Sequence, residues 1–113
     1  MKLRIAFLIT TLLIFAAASM VANAGIVGPT TITEIDTRND GTFLITTSAT
    51  ITQSPPCVTE TVRMWGDAKT VGGKNILAGA LTAMASGKSI ALEGRNTCGE
   101  YLTIESIFRL SIK

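Results

Sequence analysis

Histidine is absent from the 113 residues of this chain. Its absence excludes Ser-His-Asp and Cys-His catalysis, histidine metal ligands and pH switching by an imidazole. The eight acidic residues are scattered, and none share the spacing of a carboxylate dyad or a calcium loop. We therefore predict a protein that is not an enzyme and that holds no cofactor and no metal ion.

An excess of charge of one sign is also lacking. Ten Lys and Arg residues face eight Asp and Glu residues, and the basic residues form no cluster. Neither nucleic acid nor an anionic membrane surface is a predicted partner, since both attract proteins through concentrated positive charge. Two motifs are incomplete: Asn39-Asp40-Gly41 lacks the other ligands of a calcium loop, and Gly72-Gly73-Lys74 lacks the first glycine and the Ser/Thr of a phosphate loop.

The N-terminus has the three parts of an export signal. Lys2 and Arg4 precede an uncharged, largely apolar run over residues 5–21, and Ala22-Asn23-Ala24 is a small-x-small cleavage site before Gly25. A membrane anchor is the alternative, because the run is at the short limit of what crosses a bilayer. The small residues at its end and the polar chain that follows favour cleavage.

Cleavage after Ala24 divides the chain into a signal peptide, residues 1–24, and one domain made of the remaining 89 residues, 25–113. Loss of Lys2 and Arg4 leaves eight basic residues against eight acidic ones, so the mature domain is close to neutral. We predict that this domain works in the periplasm or outside the cell and that it has no membrane span.

The two cysteines, Cys57 and Cys98, both lie in the exported part. An even number of cysteines in a small secreted domain indicates a disulfide, and two cysteines allow one pairing. The bond would close a loop of about 42 residues and stabilise the domain by roughly 4 kcal/mol on the chain-entropy model. A redox or metal pair is the alternative, which the absence of a CxxC spacing and of histidine disfavours.

Turn residues, among them Asn39-Asp40-Gly41, and apolar alternation predict five strands and one helix, after a loosely held leader at Gly25–Pro29. The predicted strands are Ile32–Thr37, Thr42–Thr52, Cys57–Trp65, Ser89–Glu93 and Tyr101–Lys113. The fold class is mainly β with one helix, in the order β-β-β-α-β-β. That is the order of the OB-fold, a five-stranded Greek-key barrel whose helix closes one end.

The helix is predicted over Lys74–Ser86, with Gly87 as a left-handed C-cap. The residues expected to face the barrel form one stripe: Ile76, Leu77, Ala80, Leu81 and Met84. The other face is small and uncharged: Ala78, Gly79, Thr82, Ala83 and Ser86. Such a face permits close approach of another backbone, so we predict a homo-oligomer, in the form of a ring. A covering loop or the Gly25–Pro29 leader is the alternative.

Arg63 and Trp65 are the candidate binding residues. Alternation in the third strand places Val58, Val62 and Met64 on one face and Arg63 and Trp65 on the other. A tryptophan on the solvent side beside an arginine can stack on a sugar or a partner protein. The alternative is that Trp65 folds over the barrel edge, and Tyr101 is expected to pack near the disulfide.

The segment from the helix to the C-terminal strand, ILAGALTAMASGKSIALEGRNTCGEYLTIESIFRL (Ile76 to Leu110), resembles a set of small secreted bacterial proteins. They share an Ala/Leu helix, an SGK motif before a strand, a cysteine and a final strand with an ES-I motif. Their fold is similar to that of the B subunits of the subtilase-cytotoxin class, which are pentameric OB-folds that bind glycans. The sugar site of those subunits comes from the other half of the chain, so the resemblance assigns no site residue here.

Two functions follow as expectations. The first is a secreted, non-enzymatic module that binds a glycan or a protein, as a toxin B subunit does. The second is a periplasmic or cell-surface protein with a structural or inhibitory role, acting through protein–protein contacts.

Overall fold

The computed structural model describes residues 24–113. Over this range the chain is mainly β with one helix, as predicted. In chain order the elements are β1 (Ile26–Thr30), β2 (Ile32–Thr37), β3 (Thr42–Thr47), β4 (Arg63–Asp67), α1 (Val71–Ser86), β5 (Ile90–Gly94) and β6 (Ile107–Ile112). They form two antiparallel three-stranded sheets, ordered β1-β5-β6 and β2-β3-β4, and these sheets do not close into a barrel.

The described chain has six strands, so the prediction of five was wrong. The additional strand is β1, the segment expected to be a loose leader. Val27 pairs with Leu92 and Thr30 with Ile90, and the register shifts between these two pairs. The shift takes Gly28 and Pro29 out of regular pairing, which is how a proline with no N–H is accommodated in a strand. Gly28 adopts φ 126° directly against the Ala91 backbone, where a side chain has no room.

Three strands are shorter than predicted. β3 ends at Thr47, β4 begins only at Arg63 and β6 begins only at Ile107. The connection between β3 and β4 is instead held by isolated backbone hydrogen bonds. One of them runs from Ile51 N–H to the Thr61 carbonyl at 2.6 Å. Alternation of apolar and polar residues continues through these connections, but the ladder of backbone bonds does not.

The main core lies between the two sheets and α1. Its buried members are Val27, Ile32, Phe43, Ile45, Ile51, Met64, Ala80, Ala83, Ile90, Leu92 and Ile107. Gly66 in β4 lies against the ring of Phe43, and a Cβ at that position would overlap the ring. The glycine therefore lets the aromatic side chain of Phe43 in β3 pack directly on the backbone of the neighbouring strand β4.

Both ends of α1 have a cap. Thr70 is the N-cap and accepts a bond from Gly73 N–H at 3.0 Å, while Gly87 ends the helix in the left-handed conformation, as predicted. The helix begins at Val71 rather than Lys74. Gly73 lies against the carbonyl of Asp67 with no space for a side chain, so the first turn packs closely on the end of β4.

The face of α1 that meets the sheets was only partly predicted. Ala80 is buried, and Ile76 and Leu77 pack against the core. Leu81 and Met84 were wrongly placed there, since they are 50% and 43% exposed. Ala83, assigned to the outer face, is 0% exposed. The line of contact runs through small residues because they allow the helix axis to come closer to the two sheets.

The predicted disulfide is confirmed. Cys57 and Cys98 are joined with an S–S distance of 2.02 Å and a Cα–Cα distance of 6.3 Å. Cys57 belongs to the β3–β4 connection and Cys98 to the β5–β6 connection. The bond therefore ties together two long segments that have few ladder bonds of their own.

Removing the disulfide should destabilise the domain without changing its fold. The paired substitution Cys57→Ser with Cys98→Ser should lower the free energy of unfolding by about 3–4 kcal/mol, because the open chain gains loop entropy when unfolded. Urea denaturation of the variant and of the oxidised protein measures the difference. Equal midpoints would contradict the prediction, and reduction of the native protein by dithiothreitol should reproduce the loss.

The position of the helix can be tested by a matched pair of substitutions. Ala83→Asp puts an unpaired charge into the core and should cost more than about 3 kcal/mol. Ala78→Asp changes an exposed position in the same helix and should cost about 0.7 kcal/mol, the difference in helix propensity. Thermal unfolding followed by circular dichroism compares them. Similar losses would show that the helix is rotated from this arrangement.

Candidate functional site

Trp65 is buried, which favours the alternative, that its side chain folds onto the domain, over a stacking surface on the solvent side. Its side chain is 8% exposed, and its indole Nε1 donates a 2.7 Å hydrogen bond to the carbonyl of Cys98. Its ring lies against Gly99 and has its centroid 5.1 Å from that of Tyr101. Alternation assigned Trp65 to the correct face of β4, but the segment 95–106 covers that face.

The covered face forms a second, smaller core. Leu44, Trp65 and Ile104 are its buried members, and Tyr101 packs against them. Tyr101 thus packs as expected. Its hydroxyl bonds to Thr42 Oγ1 at 2.6 Å, and Thr42 Oγ1 donates to Asp40 at 2.6 Å. Because that hydroxyl hydrogen is used on Asp40, the Tyr101 O–H is the donor in the other bond.

Asp40 occupies the predicted turn between β2 and β3. Hydrogen bonds from the side chain and backbone of Thr42 lower the pKa of its carboxyl group. The stabilisation from this shift is present above the ordinary carboxyl pKa and is lost as the pH falls through the lowered value. The guanidinium of Arg38 lies 5.4 Å from the centre of the Tyr101 ring on the other side of the same cluster. These contacts fix the turn to the segment that covers Trp65.

Arg63 does not act together with Trp65 in the way the sequence suggested. It is half-buried, and its Nε lies 3.7 Å from a carboxylate oxygen of Glu60. The Trp65 ring is committed to Cys98, Gly99 and Tyr101. The predicted pair therefore provides one charged group at the surface and one buried anchor.

The larger concave surface is a groove of about 460 Å³ on the outer face of the β1-β5-β6 sheet. Its strand residues, which include Ala91, Glu93, Arg109 and Ser111, alternate with residues that face the core. The β3–β4 connection forms the opposite wall. The full lining is Ile26, Val27, Gly28, Pro29, Ala49, Thr50, Thr52, Ala91, Leu92, Glu93, Arg109, Ser111 and Lys113.

An ion pair lies in the lining of this groove. Glu93 of β5 and Arg109 of β6 are directly opposite in register, and Arg109 Nη2 donates to Glu93 Oε2 at 2.6 Å. Such a pair offers a ligand both acceptors and donors within a small area. Thr50, Thr52 and Ser111 add hydroxyl groups, and Ile26, which is 43% exposed, adds an apolar surface.

A second pocket of about 360 Å³ lies at the start of α1. Trp65, Ile76 and Ile107 give it apolar walls, and Asp67 and Arg95 add charges. The guanidinium of Arg95 also lies 5.9 Å from the ring centre of Phe108, which is 56% exposed. Trp65 contributes to this pocket only a small part of its surface.

Both concavities combine charged side chains with apolar walls. Within residues 24–113, no three Cys, Asp or Glu side chains converge as ligands of a metal ion. No helix in that range has the length and apolar character needed to cross a membrane. Comparison with protein-family models, curated proteins and solved structures finds no match. The similarity to toxin B subunits therefore stays a prediction.

The groove residues Glu93 and Arg109 were not predicted as site residues from the sequence. Their facing positions depend on the register of β5 and β6, which a single sequence does not give. A signal was nonetheless present, since opposite charges lay on the polar sides of two strands that are neighbours in the predicted fold.

The anchoring role of Trp65 can be tested by conservative substitution. Trp65→Phe keeps an aromatic ring but leaves the Cys98 carbonyl without its donor, and should cost about 1–3 kcal/mol. Chemical denaturation followed by circular dichroism measures the loss. Phe108→Leu, at a 56% exposed position, is the control and should change stability by less than about 0.5 kcal/mol. Equal effects would contradict a buried, bonded indole.

Proposed function

We propose that residues 25–113 form an exported, non-enzymatic module that binds a glycan in the groove of the β1-β5-β6 sheet. The observation that carries this proposal is the composition of the groove. Three hydroxyl residues line the same groove as the Glu93–Arg109 ion pair and the exposed side chain of Ile26. Sugars present alternating hydroxyls and C–H faces, which match bidentate charged groups and a small apolar wall.

Export is part of the proposal. The signal-peptide pattern, apart from its last residue, lies outside the described residues, and its cleavage is inferred from sequence. The Cys57–Cys98 bond supports an oxidising compartment, the periplasm or the exterior, where disulfides persist.

We also propose that the two sheets form an open barrel of the OB type. β1 and β2 are separated by one residue, Thr31, and would be two halves of one bent strand. A parallel bridge between Trp65 and Ser106 brings the start of β6 to β4, and an antiparallel bridge between Ile26 and Thr52 joins the other side. These bridges support the strand order of the OB-fold, although fold analogy alone does not identify a ligand.

A protein partner is the second candidate, in a structural or inhibitory role. β2 pairs only with β3, so its other edge has backbone groups that an incoming strand can bind. The predicted ring of identical subunits stays a prediction, but its contact surface changes. Ala83 is in the core and Gly79 lies beneath Leu110, so only Ala78, Thr82 and Ser86 of the small face remain exposed.

A glycan array followed by titration calorimetry tests the groove. Arg109→Gln should weaken binding of any glycan identified at least tenfold, because a hydrogen bond to a charged group contributes about 1.5–3 kcal/mol. Arg63→Gln removes the same charge outside the groove and should leave the affinity unchanged. Equal losses in the two variants, or binding of no glycan at all, would reject the proposal and favour a protein partner.

A further inference from the structure

Glu105 is a buried carboxylate with an unusual set of partners. Its side chain is 1% exposed. Its two oxygens each lie 3.1 Å from the backbone nitrogen of Gly25, and Oε2 also accepts a bond from Asn96 N–H at 2.9 Å. The four ion pairs found within residues 24–113 do not include it. A carboxylate removed from water is costly unless a positive charge or several donors face it.

The nitrogen of Gly25 is held in place from its C-terminal side. Gly94 N–H donates to the Gly25 carbonyl at 2.8 Å. The next residue, Ile26, exchanges two backbone bonds of 2.9 Å with Thr52. None of these bonds involves a residue that precedes Gly25. Bonds within residues 25–113 therefore hold Gly25 to Gly94 and the adjacent Ile26 to Thr52.

The carboxylate lies directly on two glycine backbones. A Cβ at Gly25 or at Gly94 would overlap the oxygens of Glu105. Any other residue at position 25 would push the carboxylate away from the nitrogen. The contact with Glu105 thus explains why position 25 is a glycine. This explanation is independent of the small-x-small motif that precedes it.

An amide nitrogen fits this arrangement poorly. It has a single hydrogen, which must be shared between two oxygens at the same distance, and it has no charge. An α-ammonium at the same atom has three hydrogens and a positive charge. It can donate one hydrogen to each oxygen and neutralise the buried carboxylate.

We propose that cleavage between Ala24 and Gly25 frees an α-ammonium group that forms a largely buried ion pair with Glu105, and that this pair locks the processed domain. The inference rests on the proposed export, because the signal-peptide pattern independently places the cut at this bond. The precursor has an amide at Gly25 and cannot form the pair. The folded state is therefore favoured more strongly after processing than before it.

The test starts from the full chain with its signal peptide. The chain is expressed so that it is exported, and the protein is purified after the signal peptide has been cleaved. A variant with one serine inserted between Ala24 and Gly25 moves the ammonium one residue away and restores an amide at Gly25. Both chains are also made with Glu105→Gln. The insertion should lower the melting temperature by about 10 °C when Glu105 is present and by only a few degrees in the Glu105→Gln background.

A second measurement covers the case in which Glu105→Gln does not fold. The α-amine of the processed native chain should be acylated roughly tenfold more slowly than that of the serine-insertion variant, because the folded state protects it. The exposed side chain of Lys88 is the internal control and should react equally in both.

These measurements distinguish failure of the proposed cleavage site from failure of the ion pair. A mature N-terminus other than Gly25, determined by mass, overturns the cleavage site and the ion pair together. A Gly25 N-terminus with no difference in melting temperature or acylation between native and insertion chains overturns the ion pair alone. Glycan binding in the groove is measured independently and does not enter either comparison.

Discussion

The residue on which the rest of the structure most depends is Glu105, because its side chain and main chain bond to different sheets. The carboxylate holds Gly25, at the start of the β1-β5-β6 sheet, and Asn96, in the connection after β5. Its carbonyl accepts a bond from Trp65 N–H in β4 at 3.1 Å. Glu105 thus links the two sheets, and the backbone N–H groups of Gly25 and Asn96 are the donors that face its buried carboxylate within residues 24–113.

The segment 95–106, which contains Glu105, is held in place by further contacts. Two bonds link the segment's ends to each other, Arg95 N–H to the Ser106 carbonyl and Ser106 N–H to the Thr97 carbonyl, each at 2.9 Å. Cys98 ties the segment to Cys57, and its carbonyl accepts the indole N–H of Trp65. A covering segment with no strand or helix of its own is stable only because covalent, polar and aromatic contacts hold it at several points.

The parts of the fold that could be predicted from sequence were those set by local chemistry. The turn at Asn39-Asp40-Gly41, the C-cap at Gly87 and the cysteine pair each depend on residue type alone. β1 was missed because Gly28 and Pro29 interrupt the alternation by which strands are recognised. The covered face of β4 was missed because alternation separates the two faces of a strand but does not say what lies over each.

The same limit applies to the candidate site and to the helix. Glu105 alternates with the apolar Ile104, a pattern that predicts a surface position, yet it is the most deeply buried charge among residues 24–113. Its burial depends on glycines at positions 25 and 94, far away in sequence, which leave space for the carboxylate. Ala83 was likewise predicted to lie on the outer face of the helix, because the predicted apolar stripe followed mainly the larger side chains. Close packing in three dimensions selects small residues that a hydropathy pattern does not single out.

The outer faces of the two sheets differ in what lies over them. The outer face of the β2-β3-β4 sheet is covered by the segment 95–106. There Trp65 of β4 packs against Tyr101 of the covering segment. Within residues 24–113 no such segment covers the outer face of the β1-β5-β6 sheet, where the charged pair Glu93–Arg109 lines a groove. A partner that binds there must replace water around polar groups rather than cover exposed aromatic rings. Its recognition must then come from hydrogen bonds, which favours a ligand rich in hydroxyl groups over an apolar one.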